Sequence, residues 1–310
     1  MKTREFTFPS ADGKTAIHAV EWLPEGTAKA VLQIVHGVSE YILRYEPFAA
    51  YLTERGFAVV GHDHLGHGTS VAPGGKRLYF GPKGSWDFVV QDVETLRRMS
   101  RERFPGIPLF MLGHSMGSFL ARTHLIRFPA ATDGAVIMGT GQMAPALIAG
   151  GRLVAAIECL RTGEENGSPL VQALSFKTYN KIFAPNRTGF DWLSVNEENV
   201  DSYISHPLCG GNPSIGLFRE MLGGMHFIAQ EENLKQMDKS TPILFISGGM
   251  DPVGDLGKGV QLACESFRKA GVRDVSLILY PELRHEILNE TERVRVYEDV
   301  SRWLASRIPT

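Results

Sequence analysis

Cysteine is scarce: Cys159, Cys209 and Cys264 are the only three in 310 residues. An odd count at wide spacing excludes a disulfide framework and the paired CxxC ligands of a zinc site. None of the three sits in a nucleophile motif, so they read as small buried or neutral thiols. An excess of one charge is also missing: 32 Lys and Arg face 34 Asp and Glu, for a net charge of −2. With no basic run either, no nucleic-acid partner is expected. Long apolar runs are absent too, which excludes a span of about 18 uncharged residues. The nearest stretch, 143–161, is interrupted by Pro145, Gly150, Gly151, Arg152 and Glu158 and reads as an amphipathic or lid segment. Residues 1–6 lack the apolar core of a secretion signal, so a cytoplasmic location is expected. Nothing in the residues speaks to oligomeric state.

What is present is a regular alternation. Apolar residues at 6–8 and 17–22 flank Asp12-Gly13, a hairpin signal. Continuous apolar runs at 30–35, 57–61, 108–112 and 135–138 read as strands buried on both faces. Helical periodicity separates them at 47–55, 88–103 and 119–127. Strands alternating with helices predict a mostly parallel sheet covered on both sides. The pattern stops near Gly141 and resumes after about Asn233, with strands at 242–246 and 275–280 and helices at 262–270 and 294–306. The expected organisation is therefore a core of residues 1–141 and 234–310, interrupted by a helical insertion at 142–233.

The chemistry centres on Gly113-His114-Ser115-Met116-Gly117, which follows a predicted strand and precedes a predicted helix. That context lifts a serine hydroxyl clear of the sheet edge and aims helix N–H groups at a reacting carbonyl. A serine needs a base, and the base needs an acid to orient it. In this architecture the chain order is serine, acid, histidine. Asp251 follows the strand at 242–246, and His285 follows the strand at 275–280. These three are the expected catalytic residues. The backbone N–H groups of Met116 and of Val38, in the loop after the strand at 30–35, are the expected oxyanion hole.

His62, His64 and His67 offer a rival reading, since such clusters bind zinc. The acid falls at Asp63 while Gly66 stands where a binuclear site would use an aspartate, and no downstream ligand set completes it. The expectation is a polar loop shaping the site, with no metal and no cofactor.

Four motifs in order extend the match: His36-Gly37-x-x-Glu40-x-x-x-Arg44-Tyr45, then Asp63-His64-x-Gly66-His67-Gly68-x-Ser70, then the serine motif, then His285-Glu286-Ile287-Leu288-Asn289-Glu290. Together they resemble the monoacylglycerol lipase and lysophospholipase branch of the α/β-hydrolases, over nearly the whole chain. The resemblance implies an α/β-hydrolase fold with an eight-stranded sheet and a helical cap. It implies the triad and oxyanion donors above, and it places Glu40, Arg44 and His114 around the polar end of a substrate pocket. Tyr41 stands where that group often has histidine. The implied reaction is hydrolysis of a small acyl ester, with release of a fatty acid from monoacylglycerol or lysophospholipid as its sharp form. A short-chain carboxylesterase, an aminopeptidase-like hydrolase and a non-catalytic ligand-binding homologue are the alternatives. Met143, Leu147, Ile148, Leu153, Val154 and Ile157 at helical spacing read first as ordinary core, with apolar surface beneath the cap or transient contact with a membrane surface as the alternative.

Overall fold

The computed structural model describes residues 1–174 and 176–309. Eight strands form one sheet: β1 (Lys2–Pro9), β2 (Ala16–Leu23), β3 (Ala30–Val35), β4 (Phe57–His62), β5 (Leu109–His114), β6 (Gly134–Met138), β7 (Ile243–Gly248) and β8 (Val275–Tyr280). Their order is β1-β2-β4-β3-β5-β6-β7-β8. Asp12-Gly13 turns β1 into an antiparallel hairpin with β2, and β2 is antiparallel to β4. Every later neighbour is parallel.

The continuous apolar runs are explained by burial on both faces. Alternate residues of one strand go to opposite sides. Val31, Met111, Ile137 and Phe245 point to one face, under helices α2 (Trp86–Arg103), α3 (Met116–Arg127) and α10 (Lys258–Lys269). Leu32, Leu112, Met138 and Ile246 point to the other, under α1 (Glu46–Thr53) and α11 (Arg293–Ala305). Each such side chain contributes about 1.5–3 kcal/mol when fully buried. Edges differ from the sequence expectation by a few residues: α3 begins at Met116, directly after the serine, and α10 begins four residues earlier than the apolar periodicity suggested.

Between β6 and β7 the described residues form no strand longer than the isolated bridge Gly167–Ser214. They form α4 (Pro145–Thr162), α5 (Pro169–Leu174), α6 (Phe176–Lys181), α7 (Glu197–Ser205), α8 (Ile215–Ala229) and α9 (Glu231–Leu234). Helix α8 belongs physically to the core: Leu217, Met225 and Ile228 join the cluster containing Trp86 and Leu120. A β-carbon at Gly224 would collide with the Trp86 ring, so glycine there lets the two helices meet.

The apolar set at 143–157 divides differently from expectation. Ile148 is buried, but Leu147 and Leu153 are each 63% exposed and Ile157 54%. None of the six lines the pocket over Ser115. Leu147, Leu153 and Ile157 form, with Leu160, a stripe at helical spacing on the outer face of α4, because the inner face is spent on α8.

Candidate active site

Ser115 sits at the tip between β5 and α3 with φ 54° and ψ −121°. A serine is rarely held there, and such strain persists only where the surroundings enforce it. The flanking glycines supply the enforcement. A β-carbon on Gly113 would strike the Gly117 carbonyl, and one on Gly117 would strike the carbonyls of Val35 and His36. The helix is thereby pressed against β3 with the serine at its N-terminus.

Asp251 lies in the loop after β7 and is fully buried. Its Oδ2 receives His285 Nδ1 at 2.9 Å, and its Oδ1 receives the Val253 N–H at 2.9 Å. His285 follows β8, lines the same pocket as Ser115, and packs its ring 5.1 Å from that of Trp192. Burial alone pulls the imidazole pKa down. The Asp251 carboxylate, through charge and hydrogen bond, outweighs burial and lifts it above the ordinary 6.5. The sequence-predicted acid and histidine are thus brought together, and Ser115 lines the same pocket as the histidine. Among the described residues the serine hydroxyl makes no hydrogen bond to the imidazole; in ligand-free enzymes that bond often forms only with substrate.

Val38 follows β3. Its neighbour Gly37 donates its N–H to Glu40 Oε1 at 2.6 Å, whereas the Val38 N–H has no partner among the described residues. Met116 N–H is the first of the α3 N–H groups, which have no intrahelical acceptor.

The other three predicted residues meet each other. Glu40 Oε1 also accepts from Tyr45 Oη at 2.9 Å and pairs with His114 Nδ1 at 3.1 Å, while Oε2 accepts from Arg44 at 2.9 Å. His114 Nε2 reaches the His285 carbonyl at 3.3 Å. Arg44 forms a two-pronged pair with Glu286, both contacts 2.7 Å, and donates to Asn199 of α7. Burial opposes ionisation of Glu40, but His114 and Arg44 hold its carboxyl below the usual range. Glu286 is held down against burial by Arg44 in the same way. Glu40 and His114 line the pocket; Arg44 stands behind it.

Sequence reasoning missed the residues that bind the cap to this face. Glu290, fully buried, accepts from Ser194 Oγ at 2.6 Å and from the N–H groups of Val195 and Asn196. Asn199 donates to Glu286 at 2.7 Å, and Tyr41 pairs with His206 at 2.9 Å with the rings stacked. Arg122, buried without a carboxylate, holds Thr140, Gly141 and Gln142 at the start of the insertion; burial lowers its pKa to about 9. Only the recurrence of Glu four residues before Arg, and Glu directly after His285, hinted at any of this.

His62, His64 and His67 are buried beside His36. His64 Nε2 pairs with the His36 carbonyl, and its Nδ1 lies 3.3 Å from His62 Nε2. Among the described residues no three His, Cys, Asp or Glu side chains are arranged to hold a metal ion. Burial holds His62 and His67 down to about 3, so both are neutral.

Fold and site define an α/β-hydrolase of the serine type, a carboxylic ester hydrolase. Residues 26–292 match the family model described as serine aminopeptidase, S33, and the chain belongs to that family. It is 27% identical over 309 residues to a monoacylglycerol lipase of Mycolicibacterium smegmatis, covering 98% of both chains. It is 30% identical over 301 residues to the monoglyceride lipase of Mus musculus, covering 93% of this chain and 86% of that one. A thermostable carboxyl esterase from Bacillus coagulans, solved with glycerol, superposes with a TM-score of 0.92 at 28% identity, each chain covered completely.

Proposed function

We propose that this enzyme cleaves monoacylglycerols or lysophospholipids, with Ser115, His285 and Asp251 as its triad. The observation that carries the reading is the mixed lining of the pocket that holds Ser115. Its lining combines the polar Glu40 and His114 with Phe190, Trp192 and Leu193 of the cap. A small polar head beside an acyl chain matches such a lining.

His285 takes the Ser115 proton as Oγ attacks the ester carbonyl. The oxyanion is held by the N–H groups of Val38 and Met116; losing one such donor costs about 100- to 1000-fold in rate. The tetrahedral adduct collapses, the C–O bond to the alcohol breaks, and His285 protonates the departing oxygen. Water then attacks the acyl-enzyme by the same route and frees the acid and Ser115. Glu40, Arg44 and His114 serve as a frame for the oxyanion loop rather than as direct ligands of the head, since their polar atoms are already paired. No step uses a metal or cofactor.

The family's name raises peptide cleavage as a second activity. An aminopeptidase needs a carboxylate to capture the free amine, yet both glutamates lining the pocket are tied to Arg44. This favours esters. The insertion at 142–233 acts as the cap, anchored by α8, and the outer stripe of α4 is the face that meets a lipid surface. Among the described residues no helix is long and apolar enough to cross a membrane. A cytoplasmic location is part of this reading, and the three free cysteines fit a reducing compartment.

A panel of monoacylglycerols, lysophospholipids, simple esters and aminoacyl amides tests the proposal. Monoacylglycerol or lysophospholipid turnover well above that of esters with the same acyl chain is expected. Equal turnover of simple esters overturns the headgroup claim, and preferential amide cleavage overturns the ester claim. Sedimentation with lipid vesicles tests the cap face: replacing Leu153 and Leu160 with serine should weaken it.

A further inference from the structure

We propose that the Ser39 hydroxyl recognises the alcohol half of the substrate, through a hydrogen bond to a free hydroxyl next to the scissile ester. The inference rests on the reading above and names the residue that gives it selectivity.

Most carboxylates and imidazoles around the pocket are already paired. Both oxygens of Glu40 and of Glu286 are occupied by protein donors. Both ring nitrogens of His114 are engaged, and His285 Nδ1 belongs to Asp251. Ser39 differs. It lines the pocket, it is only 4% exposed, and its hydroxyl has no partner among the described residues. A buried hydroxyl without a partner is destabilising, and a native protein keeps one where something else will pair with it.

The backbone makes the same point independently. Ser39 has φ 59°, in the left-handed region that favours glycine. A side chain is carried there against strain, as happens at ligand-contacting positions. The residue is also held in place: its carbonyl accepts the Gly210 N–H of the cap at 2.8 Å. A β-carbon at Gly210 would lie 3.7 Å from the ring of Tyr203, another pocket-lining residue. Ser39 directly follows Val38, the proposed oxyanion donor, and both line the pocket. It adjoins the polar Glu40 and shares the lining with His114, which suits the alcohol and not the acyl chain. Every monoacylglycerol carries at least one free hydroxyl on a carbon next to the ester-bearing one.

Ser39→Ala removes only the hydroxyl oxygen. The readout is the ratio of kcat/KM for a monoacylglycerol to that for the ethyl ester of the same acid. The ratio should fall about 3- to 10-fold, the size of one neutral hydrogen bond. Ser39→Gly also lacks the hydroxyl while relieving the backbone, so it serves if the alanine variant folds poorly; its ratio should fall equally. Loss of rate on both substrates in equal proportion overturns the proposal, because that marks an oxyanion or folding role. An unchanged ratio in both variants, with the parent enzyme preferring the monoacylglycerol, overturns the Ser39 assignment alone. A parent enzyme without that preference removes the functional reading first, and the Ser39 proposal with it.

Discussion

Two buried charged assemblies converge on the pocket, and they are built to opposite ends. In the Asp251–His285 pair one carboxylate orients one imidazole, and the outer ring nitrogen is left facing the reaction space. In the Glu40–Arg44–Glu286 cluster the acceptors and donors are consumed inside the protein. The first arrangement preserves reactivity. The second holds three segments together: the loop after β3, the loop after β8 and, through Asn199, the cap. A polar residue beside an active site is therefore not a substrate ligand until its partners have been counted.

The largest test of this contrast is Ser115→Ala. It should lower kcat about 10⁴- to 10⁶-fold and abolish labelling by a serine-directed covalent probe. Retained labelling would remove the hydrolytic assignment of Ser115. Next comes Asp251→Asn, for which kcat should drop about 10⁴-fold. It should also move the acid limb of kcat/KM. In the parent enzyme the base must be neutral, and its pKa is raised, so activity is lost as pH falls through a value above 6.5. Without the carboxylate charge, burial pushes that limb toward lower pH; a limb that stays put would show that another group titrates.

Arg44→Met addresses the second assembly. It leaves Glu40 and Glu286 buried without their cation, which should cost about 3–5 kcal/mol in denaturant unfolding. A loss under 1 kcal/mol would mean that the cluster does not hold the loops together. The last test concerns the buried histidines. His62 and His67 are held down to about 3 when folded, while the unfolded chain binds their protons near 6.5. Stability should therefore fall as pH falls from 6.5 toward 3, by about 1.4 kcal/mol per pH unit for each histidine. Urea midpoints across that range check it, and His67→Asn should flatten the slope.

Much of this molecule was readable from residues alone. The strands were legible because burial on both faces demands unbroken apolar runs, as in Val31 to Val35. Ser115 was legible because its turn has no room for a β-carbon two residues before it or two residues after it. Asp251 and His285 were legible because each follows a strand in the required chain order. The fate of Glu40, Arg44 and His114 was not, since a charged residue reads the same whether its partner is substrate or another side chain. Nor was the outward stripe of α4, because apolar spacing on a helix reveals a face but not what it faces.

Local order along the chain thus determined the strands and helices and the loops in which Ser115, Asp251 and His285 follow their strands, since these depend on neighbours within a few residues. Only the tertiary structure decided which polar groups are already satisfied. Glu286 meets Arg44 across 242 positions, and Glu290 meets Ser194 across 96. Hydrogen-bond partners that distant are chosen by packing. The same packing leaves Ser39 without a partner at the pocket wall.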